Sequence, residues 1–114
     1  MKYSLFIGRF QPLHKGHVKL IRTVLNEGKN VLVFLKDTGK NENNPYNVSQ
    51  RINMFADKFD KEMQTGQLKI HSIPQIDIDE VVYGRRVGWG IRQIRLDKKT
   101  ENISGTKIRK NDKI

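Results

Sequence analysis

The sequence predicts an α/β fold: a Rossmann-like open parallel sheet of about four to five strands flanked by helices, in one domain spanning residues 1–114. Three observations carry that prediction. A near-continuous apolar run, "NVLVFLK" (Asn30 to Lys36), reads as a strand buried on both faces, as the inner strands of parallel sheets are. Strand-like and helix-like patterns alternate along the chain, which is the order that builds βαβ units. The 114 residues show no break in composition, so they accommodate one small core.

The elements follow in order. "KYSLFIG" (Lys2 to Gly8) is apolar, aromatic and β-branched enough for a first strand. In "HKGHVKLIRTVLNEG", Val18, Ile21 and Leu25 recur at helical spacing, Leu20 and Val24 widen the stripe, and Gly28 supplies a stop. With "NVLVFLK" this makes a βαβ unit, whose crossover is expected to be right-handed. The turn-forming stretch "DTGKNENNPYN" (Asp37 to Asn47) leads into a second helix, "VSQRINMFADKF". That helix places Ile52, Phe55, Ala56 and Phe59 on one face, with Asn47 or Ser49 as its cap. "LKIHSI" (Leu68 to Ile73), "DEVVYG" (Asp79 to Gly84) and "GIRQIRLD" are the third, fourth and fifth strand candidates, the last also suiting a helical turn. A short helix begun by Ser104 in "ISGTKIRK" closes the pattern.

Composition narrows the function. Twenty-two Lys and Arg against 12 Asp and Glu give a formal charge of +10, a field that attracts polyanions: nucleic acid, or small ligands with several phosphates. The chain has no cysteine, which excludes disulfides and thiolate metal sites. No apolar stretch is long enough for a signal peptide or a membrane span, so a soluble, cytoplasmic protein with no membrane partner is expected. A nucleic-acid module would interleave exposed aromatics with basic residues. Phe6, Phe34 and Phe55 fall in core patterns instead, which disfavours that class.

Where the basic residues fall is more telling than how many there are. A helix N-terminus carries partial positive charge and unpaired N–H groups, so Lys and Arg are disfavoured there unless an anion joins them. Lys15 and His17 begin the first helix, Arg51 stands in the first turn of the second, and Lys107 and Arg109 in the first turns of the last. Acidic residues are missing from all three starts. Helix starts gathered around a polyphosphate would explain the choice. In an open α/β sheet the ligand crevice lies beyond the carboxyl ends of the strands, where Gly8 to Gln11, Lys36-Asp37 and Tyr83-Gly84-Arg85 would converge. Gly8 and Gly16, lacking Cβ, would let the backbone approach a phosphate. Lys15 itself suits a solvated lysine as well as a phosphate contact.

His14 and His17, at i and i+3, admit three readings: a metal pair, a cap with a packed neighbour, or phosphate contacts. Two histidines without a third ligand make a poor metal site, so no metal ligand is assigned. Imidazole N–H groups aimed at an α-phosphate would stabilise the charge of an in-line displacement, which fits best. No Cys–His pair or elbow serine is present, so direct transfer without a covalent enzyme intermediate is expected.

"GRFQPLHKGH" (Gly8 to His17) resembles the H-x-G-H motif of the nucleotidyltransferase superfamily, and "ISGTKIR" (Ile103 to Arg109) resembles its second signature. "GRFQP" and "NPYNVSQRINMF" (Asn44 to Phe55) are similar to segments of nicotinamide-mononucleotide adenylyltransferases, with Gln50 where Glu is usual. The resemblance implies transfer of an adenylyl group from ATP to a phosphorylated, nicotinamide mononucleotide-like acceptor, with release of pyrophosphate. The alternative is cytidylyl transfer from CTP to a phosphorylated polyol such as glycerol 3-phosphate, since "TENISGTKI" is also similar to a cytidylyltransferase pattern. Roles follow by the same resemblance. His14 and His17 would contact the triphosphate, with His17 nearest the α-phosphate. Ser104, Gly105 and Thr106 would present N–H and hydroxyl groups to the β- and γ-phosphates, while Lys107 or Arg109 neutralises departing pyrophosphate. Gly8, Arg9, Phe10 and Gly16 would line the nucleotide groove, and Arg51 would inherit a role at the phosphates of the acceptor. Mg2+ would arrive with the triphosphate, Asp37 being either an outer-shell acceptor or a plain loop aspartate. Family members are often homo-oligomers, which extends to this chain as an expectation.

The segment "VVYGRRVGWGIRQIRLD" stands where the family carries a longer acceptor-binding region. Within it, Arg85 offers a guanidinium fork suited to an acceptor phosphate. Trp89, between glycines, would either stack on a base or pyridine ring or plug the core's edge. His71 reads as structural, and Lys110 and Lys113 as a solvated tail.

Overall fold

A computed structural model describes residues 2–82, 84–85, 88–105 and 108. The elements run β1 (Tyr3–Gly8), α1 (Lys15–Asn26), β2 (Asn30–Asp37), α2 (Val48–Thr65), β3 (Leu68–Pro74) and α3 (Lys98–Glu101). The strands form one parallel sheet in the order β1-β2-β3, with Tyr3 opposite Asn30 and Val31 opposite Leu68. The α/β class is therefore as expected, and both parallel pairs are made through helical crossovers.

Side chains alternate across a strand, and the register aligns Phe6, Val33 and Ile70 on one face. That face shares the core with Ile21, Val24 and Leu25 of α1 and with Phe55 and Phe59 of α2. Arg22 ties the two helices together: it pairs with Glu62, donates to the Lys58 carbonyl at 2.7 Å, and lies over the Phe59 ring. The opposite face aligns Leu5, Leu32 and Lys69, then Ile7, Phe34 and His71.

Three expectations are corrected here. The sheet has three strands among the described residues, not four or five. Residues 79–82, 84 and 90–97 contribute none, because Asp77, Asp79, Glu80 and the glycines at 84, 88 and 90 are residues that strands disfavour. β2 is buried on one face only: Val31, Val33 and Leu35 are fully buried, whereas Leu32 and Phe34 are half-buried because both long helices pack on the other side. α2 runs on past Phe59 to Thr65, bending at Phe59 (φ −134°, ψ 30°), and it stops at Gly66, whose φ of 81° suits glycine. No described helix is long and apolar enough to cross a membrane.

Candidate functional site

The site begins with the cap of α1. His14 is the N-cap, and its Nδ1 accepts from the N–H groups of Gly16 (3.1 Å) and His17 (3.4 Å). His17 reciprocates: its Nδ1 accepts from the His14 N–H at 3.2 Å. This is a capping box built from two imidazoles, in which each side chain satisfies backbone donors that a helix start leaves open. Of the readings open for these histidines, capping is realised, and by both rings. The consequence is chemical. A neutral imidazole has one acceptor and one N–H, so with each Nδ1 accepting, the proton of each ring is assigned to Nε2. Burial, and next to it the neighbouring His14, pushes His17 down to about 3; burial also lowers His14. At neutral pH the pair presents two N–H donors and no charge.

The rings are also held mechanically. His14 and His17 stack with centroids 3.6 Å apart, and the edge of Phe10 meets His17 at 4.7 Å. Phe10 in turn packs on Phe55 at 5.1 Å. Phe10 is 7% exposed, so it does not line a groove as expected; its ring faces the core and buttresses the imidazoles. Its backbone is left-handed (φ 51°), uncommon for a bulky residue. The two glycines are also required for an internal reason. A Cβ on Gly8 would lie 3.2 Å from the Phe10 ring, and one on Gly16 would lie 3.0 Å from Cε1 of His14.

Arg51 requires a further correction. It has no exposed surface, and its guanidinium donates to backbone carbonyls: Nη1 to Arg9 and to Lys36, both at 2.7 Å, and Nε to Asn47 at 3.3 Å. An acceptor phosphate cannot reach it there. Burial lowers its pKa and the nearby Asp37 raises it. Gln11, which the sequence places beyond the end of β1 without a role of its own, is a second brace. Its amide donates to the Tyr46 carbonyl at 2.8 Å and to Thr38 at 3.1 Å, and its oxygen accepts from the Tyr46 N–H at 3.0 Å. Its signal was a polar residue inside an otherwise apolar "FQPL". Arg9 is exposed, donating to Asn44 at 3.3 Å, while Asp37 accepts from the Gly39 N–H as a plain turn residue. Lys15 is exposed.

A cavity of about 410 Å³ opens beside the imidazoles, lined by His14, Gly16, His17, Leu20, residues 93–96, Thr100, Glu101 and Ile103. The far part of the chain thus forms its second wall, and Lys19 of α1 holds that wall through Asp97 at 3.1 Å. Ile103 immediately precedes Ser104, whose carbonyl accepts from the Ile108 N–H at 3.2 Å, closing one helical turn where a helix start was expected. Ser104 and Gly105 are half-buried; Thr106, Lys107 and Arg109 lie outside the described residues. Arg85 is exposed and Trp89 is 74% exposed, and neither lines the cavity, so Trp89 is no core plug. Residues 93–96, read earlier as a strand or turn, are cavity wall. Among the described residues no three His, Cys, Asp or Glu side chains gather as a metal site.

Comparison with known proteins gives a consistent picture. A family model described as cytidylyltransferase-like matches residues 5–67. Similar proteins include the nicotinamide-nucleotide adenylyltransferase of Pyrococcus furiosus, 31% identical over 81 residues that cover 69% of this chain and 43% of that protein. The nicotinamide-nucleotide adenylyltransferase of Methanococcus aeolicus is 27% identical over 134 residues, covering 94% and 75%. The nicotinamide/nicotinic acid mononucleotide adenylyltransferase of Acinetobacter baylyi is 33% identical over 78 residues, covering 67% and 40%. The chain thus spans less than half the length of two of these three relatives.

Proposed function

Because this chain belongs to the cytidylyltransferase-like family, we propose that it transfers an adenylyl group from ATP to a phosphorylated, nicotinamide mononucleotide-like acceptor, releasing pyrophosphate. The choice of adenylyl over cytidylyl rests on what the relatives are named for. The observation that carries the chemistry is the pair of neutral imidazoles whose Nδ1 atoms are occupied by backbone N–H groups. Both Nε2–H groups are thereby committed as donors at the cavity.

In this reading the acceptor's phosphate oxygen attacks the α-phosphorus of ATP, and the bond to the bridging oxygen of pyrophosphate breaks in line. No proton need be taken from the nucleophile, so the imidazoles act as fixed dipoles toward the non-bridging α-oxygens, where charge builds. The N-terminus of α1, with no acidic residue in its first turn, adds its partial positive charge. Arg9 supplies an exposed full charge for the nucleotide, and Lys107 or Arg109 is assigned to the departing pyrophosphate. Magnesium enters as part of the triphosphate substrate, where it neutralises phosphate charge.

The test is a pyrophosphate-release assay of ATP and CTP, each with magnesium, against a small panel of phosphorylated acceptors. ATP with a pyridine mononucleotide should give the signal; a signal from CTP alone would overturn the adenylyl assignment. His17→Ala should lower turnover by about 10²–10³-fold, and full activity in that variant would remove the role given to its imidazole.

A further inference from the structure

Arg51 is a fully buried charged side chain whose chemistry the mechanism leaves unused. Its guanidinium is wholly buried and Nη2 finds no partner among the described residues. Among the described residues no carboxylate is hydrogen-bonded to it; Nη1 instead bridges two carbonyls at 2.7 Å, one from Arg9 just past β1 and one from Lys36 near the end of β2. Both carbonyls lie at the carboxyl ends of adjacent parallel strands. A buried cation hydrogen-bonded to carbonyls, with Asp37 only near by, is a costly way to fasten two loops, and it fastens the loop that matters. Arg9 precedes Phe10, the residue in the left-handed backbone region, and the Phe10 ring is what meets His17.

Resting on the nucleotidyltransferase reading, we propose that Arg51 is a positioning residue for the imidazole pair: by pinning the Arg9 carbonyl it holds Phe10 in its left-handed conformation and so sets the His17 ring at the cavity. It acts through Phe10 and touches neither nucleotide nor acceptor. Cutting the brace should therefore displace the donors without removing a binding contact, and a displacement of about 1 Å costs on the order of 10²-fold in turnover.

The experiment uses Arg51→Ala and Arg51→Lys in the full chain, with folding checked by circular dichroism. Both should lose about 10²-fold in kcat, with KM for ATP and for the acceptor changed less than about threefold. Millimolar guanidinium, which can refill the space left by Arg51→Ala and bridge both carbonyls again, should restore at least about tenfold; equal urea should not. The Phe10–His17 ring contact, read by nuclear Overhauser effects, should weaken in Arg51→Ala and return with guanidinium. Should Arg51→Ala fail to fold, Arg51→Lys carries the same kcat, KM and ring-contact readouts. A loss confined to KM would mark a phosphate ligand and overturn the proposal, as would an unchanged kcat or an unchanged ring contact in a folded variant. If the parent protein releases no pyrophosphate, the functional reading fails by itself, and the ring-contact measurement still decides whether Arg51 sets His17.

Discussion

At the scale of single residues, the site depends on side chains that do two jobs. His14 ends the loop and starts the helix with one nitrogen while its ring lines the cavity, leaving the other nitrogen for a guest. The two jobs can be separated. Aspartate is as good an N-cap as any residue, so His14→Asp should keep thermal stability within about 0.5 kcal/mol of the parent, whereas His14→Ala loses about 1 kcal/mol. Both should lose about 10²-fold or more in turnover; parental activity in His14→Asp would show that the N–H is not used. His17 makes a second prediction, about acid. Its folded-state pKa of about 3 lies below the ordinary 6.5, so the unfolded chain binds the extra proton between those values. Stability therefore rises with pH from about 3 to 6.5 and levels off above, at up to about 1.4 kcal/mol per pH unit for one proton. His17→Gln keeps the capping box and should flatten that slope by one proton; calorimetric melting between pH 4.5 and 7.5 measures it. An equal slope in both proteins would contradict the burial of this imidazole.

At the scale of elements, how much could be read in advance depended on how local the determinant was. α1, β2, α2 and β3 are fixed by short-range periodicity and caps, and their cores were readable: Ile21, Leu25, Phe55 and Phe59 are all where the helical spacing put them. Asn47 was readable as a cap, and Gln50 proves to complete its box, accepting from the Asn47 N–H at 2.8 Å. Asn47→Ala should cost about 1 kcal/mol in chemical denaturation; no change would mean the box is dispensable. Nothing local could reveal that Arg51 faces carbonyls 15 and 42 positions away instead of a ligand. Gly8 and Gly16 stood out in the sequence, but their steric role was not legible there, because the rings they make room for come into place only on folding. Residues 79–84 mislead in the opposite direction: two valines suggest a strand, and the acidic residues and glycine around them oppose it.

At the scale of the molecule, the core is one-sided. Both long helices share the face of Phe6, Val33 and Ile70, leaving Leu5 at 49% and Ile7 at 39% exposure on the other. Substitutions should report that asymmetry: Leu35→Ala should cost 2–5 kcal/mol, roughly the range for buried leucines, and Leu5→Ala less than about 1 kcal/mol. Urea melts of the two variants check it, and equal losses would mean that the second face is covered in solution. The cavity shares this lopsidedness. One wall is the stapled start of α1; the other is fastened to it at Asp97 by a lysine whose side chain, like its partner's, is more than half exposed. A contact of that kind yields to salt and contributes at most about 1 kcal/mol. Ions in the surrounding water therefore undo one clasp of the second wall, while Ile94 seated on the core and Arg92 paired with Glu27 keep that wall where it stands.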